Sequence, residues 1–249
     1  MKNVFSALIL LLGYVNYAIA DPNLLLTADK LPPDFEAKYD VYKNNIRAGI
    51  MQVSFKNKGE HLIYQSNTKP VGLATIFASG QEIIDYSELY LIDGSYKTTE
   101  FKHEVKNSKK NRNEHYQFDW KENKADVSYK DRNSIVDISP FTLDNYSSQL
   151  LLMREPNTES TEITFPVISK GRLKEYVFSH AQTEDLETAL GTLAASKYVR
   201  TKDNDKNSTY FGWYAKSLHH IPIRLDKYEN GKIDTSIRII EVTWPDAVE

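Results

Sequence analysis

The sequence contains no cysteine. Disulfides, thiolate metal sites and cysteine nucleophiles are therefore excluded, and stability must come from the core alone. The same absence argues against a lipid-modified cysteine after a signal segment. Long hydrophobic runs are scarce too: past the N-terminus none approaches the ~18 apolar residues of a membrane-spanning helix. No stretch rich in proline, glycine or serine marks a linker between domains. There is no Gly-x-Ser-x-Gly elbow, no Walker-type or Rossmann-type glycine pattern, and no His-x-His or His-Glu-x-x-His spacing. Serine-nucleophile hydrolysis, nucleotide binding and a histidine metal centre thus lose their usual warrants. Excess positive charge is also lacking. Beyond residue 20, 30 basic residues face 34 acidic ones, a net charge of −4 that offers nucleic acid and anionic lipid no general attraction.

What is present begins with a processing segment. Lys2, the apolar run from Val4 to Leu12, and Ala18 and Ala20 spell a cleaved secretory signal over residues 1–20. The mature protein is then expected in the periplasm, soluble and without a transmembrane segment. Residues 21–34, with Pro32-Pro33, read as a flexible leader.

From Phe35 onward the dominant period is two. Phe35, Ala37, Tyr39 and Val41 alternate with Glu36, Lys38 and Asp40, the pattern of a half-buried strand. Near the C-terminus Ile221, Ile223 and Leu225 answer Ile233, Ile237 and Ile239 across Asn230-Gly231, a strong hairpin signal. Sixteen tyrosines and ten phenylalanines suit a sheet. Similar segments recur about every 8–12 residues, which predicts a mainly β fold: a single curved antiparallel sheet of about twelve strands, a barrel or half-barrel, in one domain over residues 35–249.

Three segments depart from that period. Residues 70–80 are apolar without alternation and read as a short helix or buried loop against the sheet. Residues 184–191 read as a turn or one helical turn. Over residues 140–155, Leu143, Tyr146, Leu150 and Met153 recur at spacings of three and four, with Thr142 or Asp144 as cap and Pro156 as stop. This predicts one central amphipathic helix.

Chemistry is thinly signposted. His219-His220 would point to opposite faces of a strand and cannot easily share a metal. Carboxylate pairs such as Glu82 with Asp85, Asp119 with Glu122 and Glu184 with Asp185 lack any glycosidase frame. No catalytic residue, metal ligand or cofactor is expected. The aromatics carry the functional hint: Trp120, Tyr210, Trp213 and Tyr214 would line a cavity for a lipid or other hydrophobic ligand, and Arg224 would meet its polar head. Core filling is the commoner use of such aromatics, and a structural salt bridge the commoner use of Arg224.

Phe35-Glu36-Ala37 with Tyr39, Val41-Tyr42 and Arg47-Ala48-Gly49 is followed by Phe118-Asp119-Trp120, Ile138 to Leu143, Gly171-Arg172 with Tyr176-Val177-Phe178, and Trp213 with Ile221-Pro222-Ile223-Arg224. This order of motifs resembles an exported bacterial family, domain of unknown function 3108. The resemblance implies a Gram-negative envelope protein and brings no catalytic residues. The layout is also loosely similar to periplasmic lipoprotein carriers. The expectation is a non-catalytic binding protein for a hydrophobic ligand. Two alternatives stand beside it: an envelope structural or interaction protein with a filled core, and an unrecognised hydrolase.

Overall fold

The computed structural model describes residues 25–77, 80–154, 162–202 and 205–245; the signal segment of residues 1–20 lies outside them, as does the leader up to residue 24. The alternating segments form strands. Eight come first: β1 (Phe35–Lys43), β2 (Ile46–Asn57), β3 (His61–Pro70), β4 (Glu82–Ile92), β5 (Ser95–Lys106), β6 (Glu114–Asp119), β7 (Lys124–Tyr129) and β8 (Arg132–Asp137). Six follow: β9 (Glu162–Ser169), β10 (Arg172–Thr188), β11 (Gly191–Lys202), β12 (Asp205–Ala215), β13 (Ile221–Glu229) and β14 (Lys232–Thr243). Two short helices, α1 (Ala74–Phe77) and α2 (Ser147–Leu152), interrupt them.

All fourteen strands belong to one sheet, ordered β8-β7-β6-β5-β4-β3-β2-β1-β14-β13-β12-β11-β10-β9. Every ladder is antiparallel. The chain lays down one meander, β1 to β8, crosses through α2 to the far edge, and returns as a second meander, β9 to β14. Pairing of β14 with β1 joins the two. The final turn is as expected: Asn230 and Gly231 adopt φ of 51° and 74°, the conformation that fits a two-residue loop to strand twist.

Period two becomes burial directly. Phe35, Ala37 and Tyr39 are buried while Glu36, Lys38 and Asp40 face away. The main core gathers Phe55, Leu62, Leu89, Phe165, Tyr198, Ile221, Ile223 and Ile239 around Leu150, Leu151 and Leu152 of α2. A smaller cluster of Phe101, Tyr116, Phe118, Ala125 and Val127 lies under β5 to β7.

The α2 segment is stitched to both meanders. Leu143 exchanges backbone hydrogen bonds with β9, donating to Pro166 and accepting from Ile168. The Asp144 carboxylate accepts from the Ser87 and Thr98 hydroxyls at 2.7 Å each, and from the Tyr146 and Ser147 N–H groups at 2.6 and 3.1 Å. It therefore caps the helix and fastens it to β4 and β5 at once. Tyr146 packs on Tyr64 and bonds to Ser66 of β3. On the other side, Tyr214 of β12 donates to Gln149 Oε1.

Six expectations need correction. The sheet has fourteen strands where about twelve are expected; β8, whose residues are nearly all exposed, leaves little periodic trace. Among the described residues it is not closed by hydrogen bonds: β8 and β9 do not pair, and Leu143 of the connecting segment bridges to β9 instead. The helix covers Ser147–Leu152 only: Thr142 turns back on Ser139, and Leu143 is held extended by its bridge to Val167. Nor is that helix amphipathic, since Ser147, Ser148, Leu150, Leu151 and Leu152 are all buried. Residues 184–188 belong to β10, where Leu186 pairs across to Leu193 and the intervening acids face solvent. In residues 70–80 a short helix does form, but Leu73 and Ile76 are exposed, so it is no buried plug.

Candidate functional site at the sheet seam

The two outer regions of the strand order meet without pairing. At the turn between β9 and β10, the Lys170 N–H donates to a Glu114 carboxylate oxygen at 2.9 Å, and the Gly171 N–H donates to the Tyr116 oxygen at 3.2 Å. The Tyr116 hydroxyl in turn donates to Glu114. Gly171 has φ 72° and lies flat against Tyr129 at the end of β7. The β9–β10 tip is thus seated on β6 and β7.

Beside this contact lies a cleft of about 990 Å³. One wall is the β7–β8 hairpin, through Tyr129 and Arg132 to Ser134. The other is the β9–β10 hairpin from Ser169 to Tyr176, and Asn145, Arg200 and Tyr210 complete the lining. Arg132, Lys170, Arg172, Lys174 and Arg200 contribute positive charge, against Glu175 as the one acid among the lining residues. A mildly acidic protein has concentrated cations here.

Arg200 is fixed by ring faces. Its guanidinium carbon lies 3.8 Å from the Tyr176 ring centroid and 4.3 Å from that of Tyr210. Burial alone would raise the Tyr176 phenol, but Arg200, Lys174 and a hydrogen bond from Ser169 hold it below its ordinary value. The same two cations favour an anion in the cleft.

The sequence-chosen residues do not converge. Tyr210 lines this cleft. Tyr214 shares its strand and face but is fully packed, edge to face with Tyr198 and bonded to Gln149. Tyr214→Phe should cost about 1 kcal/mol by loss of that hydrogen bond, read from urea unfolding. Trp213 and Arg224 are register partners on the opposite face. There Arg224 lies over the Trp213 ring and pairs with buried Asp226, while Lys197 also approaches the ring and Glu184 accepts the indole N–H. The indole bond and Lys197 keep Glu184 below the usual carboxylate range. Trp120 sits in the first meander, donating to the Thr98 carbonyl and stacking on Phe118.

Sequence reasoning missed Arg132, Arg172, Tyr176 and Arg200. The one available signal was the spacing of cations at Lys170, Arg172 and Lys174. His219 and His220 both adopt positive φ in a turn before β13, and His219 packs on Trp244. Asp85 is bonded to His103, Glu82 to Asn67, and Asp119 to backbone N–H groups of its own turn. Among the described residues no cluster of three His, Asp or Glu side chains is placed to hold a metal, and no helix is long and apolar enough to cross a membrane.

Fold and cleft define an open, wholly antiparallel β-sheet protein with a cationic seam. Within that class the chain belongs to the family of proteins of unknown function DUF3108, whose profile matches residues 38–237. No curated protein matches it significantly. Among solved structures, an exported protein with a YmcC-like fold from Bacteroides fragilis is similar at 12% identity and TM-score 0.38, covering 86% of this chain and 99% of that one. MucB is similar at 8% identity and TM-score 0.38, over 91% of this chain and 58% of MucB. An outer membrane lipoprotein-sorting protein domain from Vibrio parahaemolyticus follows at 10% identity and TM-score 0.26, covering 87% of each chain. All three likenesses are remote.

Proposed function

We propose that this chain is an exported, periplasmic, non-catalytic binding protein: a single domain with a curved sheet that takes an anionic ligand at its seam. The observation that carries the reading is the cleft itself, whose lining includes Arg132, Arg172 and Arg200, the last held against the Tyr176 and Tyr210 rings. Guanidinium groups bind carboxylates and phosphates through paired N–H donors. A purely apolar ligand on the inner face would have to displace Leu150, Leu151 and Tyr214, all packed. An anion at the seam displaces none of these core side chains. Of the carboxylate pairs noted in the sequence, Glu82, Asp85 and Asp119 are engaged in cross-strand and turn hydrogen bonds.

Titration calorimetry with inorganic tripolyphosphate tests this. Binding is expected at low ionic strength, weakening steeply as salt is raised to ~0.5 M. Arg132→Ala and Arg172→Ala, both exposed and outside the core, should each weaken it about fivefold. An affinity indifferent to salt and to both substitutions overturns the reading.

A further inference from the structure

The seam also holds an open strand edge, and the two features adjoin. Pairing of Tyr129 with Arg132 across the two-residue turn Lys130-Asp131 sets the register of β8 on β7. A tight hairpin of this kind makes its first pair the hydrogen-bonded one, and antiparallel ladders alternate from there. Ser134 and Val136 therefore also bond to β7, while Asn133, Ile135 and Asp137 direct their N–H and C=O groups away from it. Among the described residues no strand lies on that side. The opposite edge, β9, is already met by Leu143; β8 is not. Ile135 is 67% exposed, and every β8 residue except Val136 is exposed.

Side chains sort the same way. Val136 packs on the smaller core cluster, and Arg132 and Ser134, of the same parity, share its face of the strand. Arg132, Asn133 and Ser134 line the cleft. A free ladder thus runs out of a cationic pocket.

We propose that the seam ligand is an extended acidic segment of a polypeptide, added as a fifteenth strand on β8 with alternate carboxylates directed at Arg132, Arg172 and Arg200. This rests on the anion-binding reading and narrows it to one class. A phosphate compound would satisfy the charges and leave the main-chain groups of Asn133, Ile135 and Asp137 unmatched. A second copy of this chain would set another cationic hairpin against the first. An acidic peptide matches both features, its backbone serving the edge and its side chains the cleft.

The probe is a capped seven-residue peptide alternating glutamate and valine, followed by fluorescence anisotropy beside tripolyphosphate titrations. Wild-type protein should bind the peptide, and N-methylation of its alternate amides should weaken it about tenfold or more at unchanged charge. Ile135→Pro removes an outward N–H on an edge strand, a position where proline is tolerated, and should produce a similar loss while leaving tripolyphosphate affinity unchanged. Peptide binding indifferent to both changes overturns strand addition. Tripolyphosphate binding without peptide binding overturns this inference and leaves the anion site standing. Binding of neither probe overturns both. Dimers that are lost on Ile135→Pro, without peptide binding, would assign the edge to a second copy instead.

Discussion

Asp144→Ala should lower the unfolding free energy by about 3–5 kcal/mol, measured by urea denaturation. The side chain is fully buried. One carboxylate oxygen takes the hydroxyls of Ser87 and Thr98, and the other takes the N–H groups of Tyr146 and Ser147 where α2 begins. Alanine removes the acceptor and leaves those donors in a site without room to rehydrate. An unmatched buried donor costs about 1–3 kcal/mol and a lost cap about 1 kcal/mol, with incomplete additivity because all four share one residue. Asp144→Asn separates geometry from charge. Its amide oxygen still accepts from the helix, and the hydroxyls can rotate to accept from its NH₂, so the loss should be less than half as large. If alanine costs under about 1 kcal/mol, the α2 segment is not fastened to β4 and β5 as described.

The same segment shows what was legible beforehand. Leu143, Tyr146, Leu150 and Met153 are spaced as on a helix, and the buried end of that spacing is a helix. Leu143, however, is an extended residue whose backbone belongs to β9. Spacing cannot reveal a hydrogen-bond partner more than twenty positions away. Strands β1, β13 and β14 were readable because each buries one face, which writes period two directly into the residues. Strand β8 was nearly silent because neither of its faces is well buried. The chosen aromatics failed as a set for a related reason. Trp213 and Tyr214 are neighbours on a strand, so one must face α2 and the other must face away. The cleft draws its cations from β8, from the β9–β10 hairpin and from β11. These are distant in sequence and come together only through the crossing from one sheet edge to the other.

That crossing depends on the seated tip, so Gly171→Ala should be costly twice over, by about 2–4 kcal/mol in total. The first part is conformational: Gly171 has φ 72°, where a side chain is strained. The second is contact. A β-carbon built there would lie 2.6 Å from the β-carbon of Tyr129, an atom fixed to its backbone that cannot swing aside. The tip must therefore lift, and the Lys170 and Gly171 N–H groups leave Glu114 and Tyr116. Hydrogen exchange should accelerate at these two amides and along β9, with little change in the β1–β14 ladder at the centre of the sheet. Because Lys170 and Arg172 line the cleft, tripolyphosphate affinity should fall in the same variant even at temperatures where it remains folded. Gly59→Ala supplies the contrast: that glycine also has positive φ, 75°, yet nothing lies within 4 Å of an added β-carbon. It carries the conformational cost alone, so the stability difference between the two variants isolates the seam contact. Equal losses would mean that Tyr129 yields freely and that the tip is not what holds the two ends of the strand order together.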